Sequence, residues 1–321
     1  MNLFLFSLLF ALQSLPVSGA VRPQKDAPDS FQSALRVEEE ASAYTLYEAR
    51  FPTARPSRFP ANNTVWGHLF VPKPPQADGS KPACVLVLPV MAAPNAWIEL
   101  RFVHAFLERG FAVLWIEMPY QFHRRPHPSQ PSGQVFLART AARLRDNFVQ
   151  SVEDARRALT WLGRSGLVDK DRIGLFGISL GGMVAASLYS TDDRPKGAVL
   201  LLAGADFPSL VRDGSMTSEF VREAGIEEGE LRRAWRGIDP SDHREDNRGK
   251  QVRLVNAHWD AVVPRANALK LKEAFPGSRQ LWVPLGHYSA ALHLPWIRGY
   301  ATRRLAELLG PPASRRPLSP P

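Results

Sequence analysis

The chain is nearly devoid of cysteine. Cys84 is the only one in 321 residues, which excludes an intrachain disulfide and any multi-thiolate metal site. It sits inside an apolar run and reads as a small buried hydrophobe. Clusters of His, Asp and Glu with metal-ligand spacing are missing as well. Long hydrophobic runs are scarce. The one at the N-terminus, Leu3 to Leu12, is too short for a comfortable membrane span. No Lys or Arg precedes it, and Ser18-Gly19-Ala20 follows with small side chains. This pattern predicts an export signal over residues 1–20, cleaved after Ala20, with an uncleaved N-terminal anchor as the alternative. No cysteine follows the apolar core, so a lipoprotein anchor is excluded. Long basic runs are absent too. The net charge is +9, from 40 Lys and Arg against 31 Asp and Glu, but the charges are interspersed. A nucleic-acid partner would require a more concentrated footprint. Contact with an anionic membrane surface or substrate stays open.

What is present is an ordinary globular composition, 45% hydrophobic and 22% charged. The length suits one large α/β domain or two small ones. Residues 21–63 read as an N-terminal extension, polar and proline-containing, with a short helix around Glu38 to Ala49. Asn62-Asn63-Thr64 matches a glycosylation sequon. Thr64 to Val71 alternates like an edge strand. Apolar runs at Ala83 to Val90, Phe111 to Met118 and Gly197 to Ala203 read as strands covered on both faces, and Val252 to Ala257 reads as a further strand. Helical spacing separates them: Asn95 to Arg109, Val135 to Leu162 as more than one helix, Arg265 to Phe275 and Leu292 to Leu309. Arg279 to Val283 is the last strand, and residues 311–321 form a Pro-rich, disordered tail. The alternation predicts a doubly wound, mostly parallel α/β sheet. Residues 206–250 interrupt it with a charged, piecewise helical stretch, read as a lid-like insertion.

The densest signal is Asp171-Arg172-Ile173-Gly174-Leu175-Phe176-Gly177-Ile178-Ser179-Leu180-Gly181-Gly182. It reads as a buried strand turning sharply into a small-residue helix. A serine at such an elbow projects into open space, and glycines on either side remove Cβ atoms that would clash. The elbow also puts the Leu180 N–H at a helix N-terminus, facing any charge that develops beside Ser179. A serine nucleophile needs a base, and the base an orienting acid. Two later loops supply both. Asp260 lies in His258-Trp259-Asp260-Ala261-Val262-Val263-Pro264, after one strand, and His287 in Leu285-Gly286-His287-Tyr288, after the last. Asp206 is a rival acid one strand earlier, and His258 and His293 are rival bases. Trp259 and Trp282 read as packing aromatics. The cluster His123, Arg124, Arg125 and His127 reads as a solvated loop, or else as a clamp for an anionic substrate.

The elbow, the Asp260-x-x-Val263-Pro264 loop and Gly286-His287 together resemble the α/β-hydrolase-fold serine hydrolases, over about Thr64 to Gly310. The elbow's extra glycine is similar to the dienelactone-hydrolase and prolyl-oligopeptidase branches. The resemblance implies a domain over 64–310 and an acyl-bond hydrolase working without a cofactor on a small-molecule or lipid ester. It favours Asp260 over Asp206 as the acid and His287 as the base. It also implies a second oxyanion donor in the loop after the first core strand, here Met91 N–H, where many members carry His-Gly in place of Pro89-Val90. A peptidase, an acyltransferase and a non-catalytic binding protein on the same scaffold are the alternatives. Too little chain precedes Thr64 for a prolyl-oligopeptidase gating domain, and a dehalogenase would need a carboxylate where Ser179 stands.

Overall fold

A computed structural model describes residues 31–73 and 79–310. The export signal and the Pro-rich tail predicted from sequence lie outside the described residues. The sheet runs β1 (Ala34–Glu40), β2 (Tyr44–Pro52), β3 (Thr64–Pro72), β5 (Ala112–Ile116), β4 (Cys84–Leu88), β6 (Ile173–Ile178), β7 (Ala198–Leu201), β8 (Val252–Ala257) and β9 (Arg279–Val283). The first three strands pair antiparallel, as does β3 with β5, and all pairs from β5 to β9 are parallel. Strands β4 to β8 are buried along their whole length, because helices cover both faces. This explains the apolar sequences of β4 to β7, while β8 also carries the buried Arg253 and Asn256. Helices α1 (Trp97–Glu108) and α8 (Leu294–Leu309) pack on one face through Phe102, Phe106 and Leu305. Helices α2 (Ala141–Ser165), α3 (Leu180–Thr191) and α7 (Arg265–Ala274) pack on the other through Phe148, Val184 and Leu271.

Several expectations change. The helix expected around Glu38 to Ala49 is a β-hairpin of β1 and β2, which extends the main sheet. The run Glu38-Glu39-Glu40 imitates a solvated helix face. It is instead an exposed edge strand, where charge blocks pairing with other chains. Strand β3 is therefore internal, flanked by β2 and β5, and not the edge. The stretch read as several helices before the elbow is one helix, α2. Thr140 caps it by accepting from Arg143 N–H, and Gly166 ends it at φ 71°. Its central charges, Glu153, Asp154 and Arg156, are buried in the fold rather than marking a break. Residues 206–250 hold the short helices α4 (Phe207–Asp213), α5 (Ser218–Glu223) and α6 (Glu228–Trp235) between β7 and β8. The sequon is structural. Asn62 is fully buried, donates to Gln150 Oε1 at 3.0 Å and accepts from Tyr120 N–H at 3.0 Å, so the folded chain offers no acceptor there.

Candidate functional site

Strand β6 ends at Ile178 and helix α3 begins at Leu180, leaving Ser179 alone in the elbow at φ 53°, ψ −118°. A non-glycine residue in that region carries strain, which the surrounding contacts must hold. The flanking glycines make the elbow possible. A Cβ on Gly177 would overlap the Gly181 carbonyl, and one on Gly181 would overlap the backbone of Leu88 and Pro89 at the end of β4. A Cβ on Gly182 would lie 2.8 Å from that of Ala203, so this glycine lets α3 sit close to β7.

The loops after β8 and β9 meet at the elbow. Backbone bonds join them, His258 N–H to Val283 O and Trp259 N–H to Leu285 O, each at 2.9 Å. Asp260 Oδ1 accepts from Val262 N–H at 2.9 Å and Val263 N–H at 2.8 Å, which leaves Oδ2 facing His287 Nδ1 at 2.8 Å. His287 Nε2 lies 3.1 Å from Ser179 Oγ. Because a carboxylate only accepts, Nδ1 carries the hydrogen and Nε2 is left as the acceptor for the serine hydroxyl. Ser179 and Asp260 are both buried, so this chain of bonds is shielded from bulk water.

The rivals stand elsewhere. Asp206 opens α4 and faces Arg232 at 3.6 Å. His258 packs against the Arg265 guanidinium and Trp282, and His293 lies at the start of α8. Trp259, expected to pack, is 70% exposed. The basic cluster divides: Arg124 is buried, whereas His123 and His127 are exposed. Arg124 is fully buried, donating to Asp154 Oδ2 at 2.7 Å and to the carbonyls of Glu117 and Asn62 at 2.8 Å each. His123 stacks on Trp66 and bonds Glu117 Oε1 at 2.6 Å. Arg125 donates to Phe122 O, and His127 bonds Ser129. Among the described residues, no group of His, Cys, Asp and Glu could hold a metal ion.

Leu180 starts α3, and Met91 lies in the turn after β4; both line a cavity with Ser179. In fact Ser179 lies between two apolar chambers that share Met91 and Met216. One runs under α4–α6, past Phe148, Phe207, Leu210 and Trp235. The other runs toward α1 and α8, past Phe102, Leu202, Leu294 and Ile297.

A family model described as alpha/beta hydrolase domain containing 18 matches residues 6–224. The chain belongs to this family. The match takes in the elbow and stops before Asp260 and His287. As an α/β hydrolase, the chain resembles many solved structures. An acetyl xylan esterase from Paenibacillus sp. R4 superposes with TM-score 0.65 at 18% identity, over 85% of this chain and 88% of that one. A puromycin-hydrolyzing peptidase from Mycobacterium tuberculosis gives 0.63 at 18%, over 87% of this chain and 46% of that one. An S-formylglutathione hydrolase from Agrobacterium tumefaciens gives 0.55 at 16%, over 84% and 99%. At these identities the likeness is one of fold. No curated protein matches the hydrolase in sequence.

Two side chains beside the site carry no signal in motif or spacing. Glu99, in the first turn of α1, accepts from Val90 N–H at 3.0 Å, and Gln121 Nε2 donates to Val90 O at 2.9 Å. Both are fully buried. Burial pushes the Glu99 carboxyl above its ordinary range, opposed in part by the Val90 N–H. A raised folded-state value means the native state favours the proton. The stabilisation from this group is therefore complete below its unfolded pKa, about 4.3, and is lost as pH rises through the folded value. Glu99→Gln keeps an acceptor for Val90 N–H and removes the ionisation. Its melting temperature, followed from pH 4 to pH 8, is expected to fall less than that of the wild type. Parallel curves for the two proteins would contradict this account.

Proposed function

We propose that the α/β hydrolase cleaves carboxylic esters through a Ser179–His287–Asp260 triad and an acyl-enzyme. The observation that carries the reading is the continuous pair of contacts, Ser179 Oγ to His287 Nε2 at 3.1 Å and His287 Nδ1 to Asp260 Oδ2 at 2.8 Å. Ser179 Oγ attacks the carbonyl carbon while His287 Nε2 takes its proton. The Leu180 and Met91 N–H groups hold the oxyanion. His287 returns the proton to the leaving alcohol. It then deprotonates a water that attacks the acyl-enzyme, and the released acid leaves Ser179 with its proton restored.

The chambers favour an ester that is apolar on both sides of the carbonyl. Their walls are almost wholly hydrocarbon, so the hydroxyls of a sugar acetate would lose water without gaining partners. The exposed Tyr288, Trp259 and Leu292 continue this apolar character outside the site. The helices α4–α6 act as the lid over one chamber. Export after cleavage at Ala20 belongs to the same proposal, and a mature chain beginning at Val21 would support it.

The test is covalent labelling with a fluorophosphonate. The wild type is expected to be labelled and Ser179→Ala is not. On p-nitrophenyl esters, kcat/KM is expected to rise as the acyl chain lengthens beyond acetate. A folded wild type that resists labelling would overturn the proposal.

A further inference from the structure

We infer that Gln121 is a positioning residue that aims the Met91 N–H into the oxyanion site, and that the loop from Tyr120 to Gly133 is its brace. The inference rests on the serine-hydrolase reading above and deepens it. Val90 C=O and Met91 N–H belong to one planar peptide, and in a trans peptide they point in opposite directions. Whatever fixes the carbonyl oxygen therefore fixes the N–H. Gln121 Nε2 donates to that oxygen at 2.9 Å. Only the amide nitrogen can do so, since a carbonyl oxygen accepts. If the peptide turned over, the Val90 oxygen would face the site in place of the N–H. A lone pair would then meet the developing negative charge, and the donor would be lost.

The turn is held at two further points. Val90 N–H is tied to Glu99 Oε1 at 3.0 Å. Ala92, at φ 58°, sits directly against Gly133, where a Cβ would fall 2.8 Å from the Ala92 Cα. Gly133 closes its own loop by donating to Tyr120 O at 2.9 Å. One loop thus supports the turn through Gln121 at one end and Gly133 at the other.

Backbone strain flanks Gln121. Its two neighbours, Tyr120 at φ 65° and Phe122 at φ 45°, are both in the left-handed region, although neither is glycine. Such conformations persist only where the surroundings over-determine them. The surroundings here do so. Tyr120 donates its N–H to Asn62 Oδ1 at 3.0 Å and its hydroxyl to Asn147 Oδ1 at 3.1 Å, and two residues past Phe122 the buried Arg124 is tied to Asp154. The strained loop places a fully buried amide against one carbonyl. Its own Oε1 is left without a hydrogen-bond partner, an unfavourable arrangement for a residue that served packing alone.

Two variants test the brace. Gln121→Met keeps the length and removes the donor. It is expected to lower kcat about 10- to 100-fold, short of the 10²–10³-fold cost of losing a donor outright, with KM within about twofold of wild type. A trifluoromethyl ketone that forms an oxyanion with Ser179 should lose affinity by the same factor as kcat, while the alcohol product binds unchanged. Gln121→Glu can donate to Val90 O only as the neutral acid, so its kcat relative to wild type should fall as pH rises. Labelling of the wild type by fluorophosphonate comes first, because its failure overturns the proposed function itself. A labelled wild type with unchanged kcat in both variants overturns the brace alone. So does a loss shared equally by KM and product affinity with no pH response in Gln121→Glu, which would mark a packing role.

Discussion

Replacing Ser179 or His287 by Ala is expected to lower kcat by up to about 10⁶-fold, and replacing both is expected to add little, because residues that act as a unit are not additive. The reason lies in the 3.1 Å contact between them. A serine hydroxyl is a poor nucleophile until a base takes its proton as the bond forms, so losing either partner loses the same step. What survives is the oxyanion site and the binding chambers. The third member behaves differently. Asp260→Asn should cost about 10⁴-fold, and the geometry says why. Val262 N–H and Val263 N–H both point at Oδ1, so the amide of an Asn must keep its oxygen there and turn its NH₂ toward His287. Nδ1 then becomes the acceptor, the ring hydrogen moves to Nε2, and the base facing Ser179 is gone. Steady-state kinetics on one apolar ester would check the set. A double variant far slower than either single one would show that Ser179 and His287 do not work together.

The elbow was legible because its constraint is local. Glycines at 177, 181 and 182 answer to atoms a few residues away or on the neighbouring strands, and the apolar runs of β4 to β7 record burial on both faces. The order of Ser179, Asp260 and His287 came instead from the resemblance, with each residue following the end of a strand. The remaining features depend on contacts that sequence spacing does not encode. Gln121 meets Val90 and Glu99 meets Val90 only after β4, α1 and β5 have assembled. The triplet Glu38-Glu39-Glu40 has the same composition on a helix face as on a charged edge strand. Asn62 satisfies a surface motif by pattern, yet its side chain joins Tyr120 and Gln150 in the interior. Arg124 sits in a run of His and Arg that looks solvated, because its partner Asp154 comes from the middle of a helix 30 residues on.

That partnership gives the largest expected effect on stability. Arg124→Met should destabilise the fold by about 3–5 kcal/mol, the usual cost of leaving a buried charge uncompensated. Arg124 has no exposed surface, and its guanidinium spans Asp154, Glu117 O and Asn62 O. Without it, Asp154 retains Thr53 Oγ1 at 2.5 Å and Ala54 N–H at 3.1 Å, but both lie on the Oδ1 side. Oδ2 is left buried with its charge, and the carbonyls of Glu117 and Asn62 lose a donor. Adding Asp154→Asn keeps an oxygen for Thr53 and Ala54 while removing the charge. The double variant should therefore be more stable than Arg124→Met alone, a positive coupling that urea denaturation can measure. An anion clamp predicts the opposite signature: Arg124→Met would leave the denaturation midpoint in place and raise KM only for anionic esters. A loosened brace predicts something further. The 120–133 loop is anchored to α2 through Arg124, so kcat on a neutral apolar ester should fall in Arg124→Met and recover in part in the double variant. Unchanged stability with an anion-selective KM effect would return this arginine to the substrate.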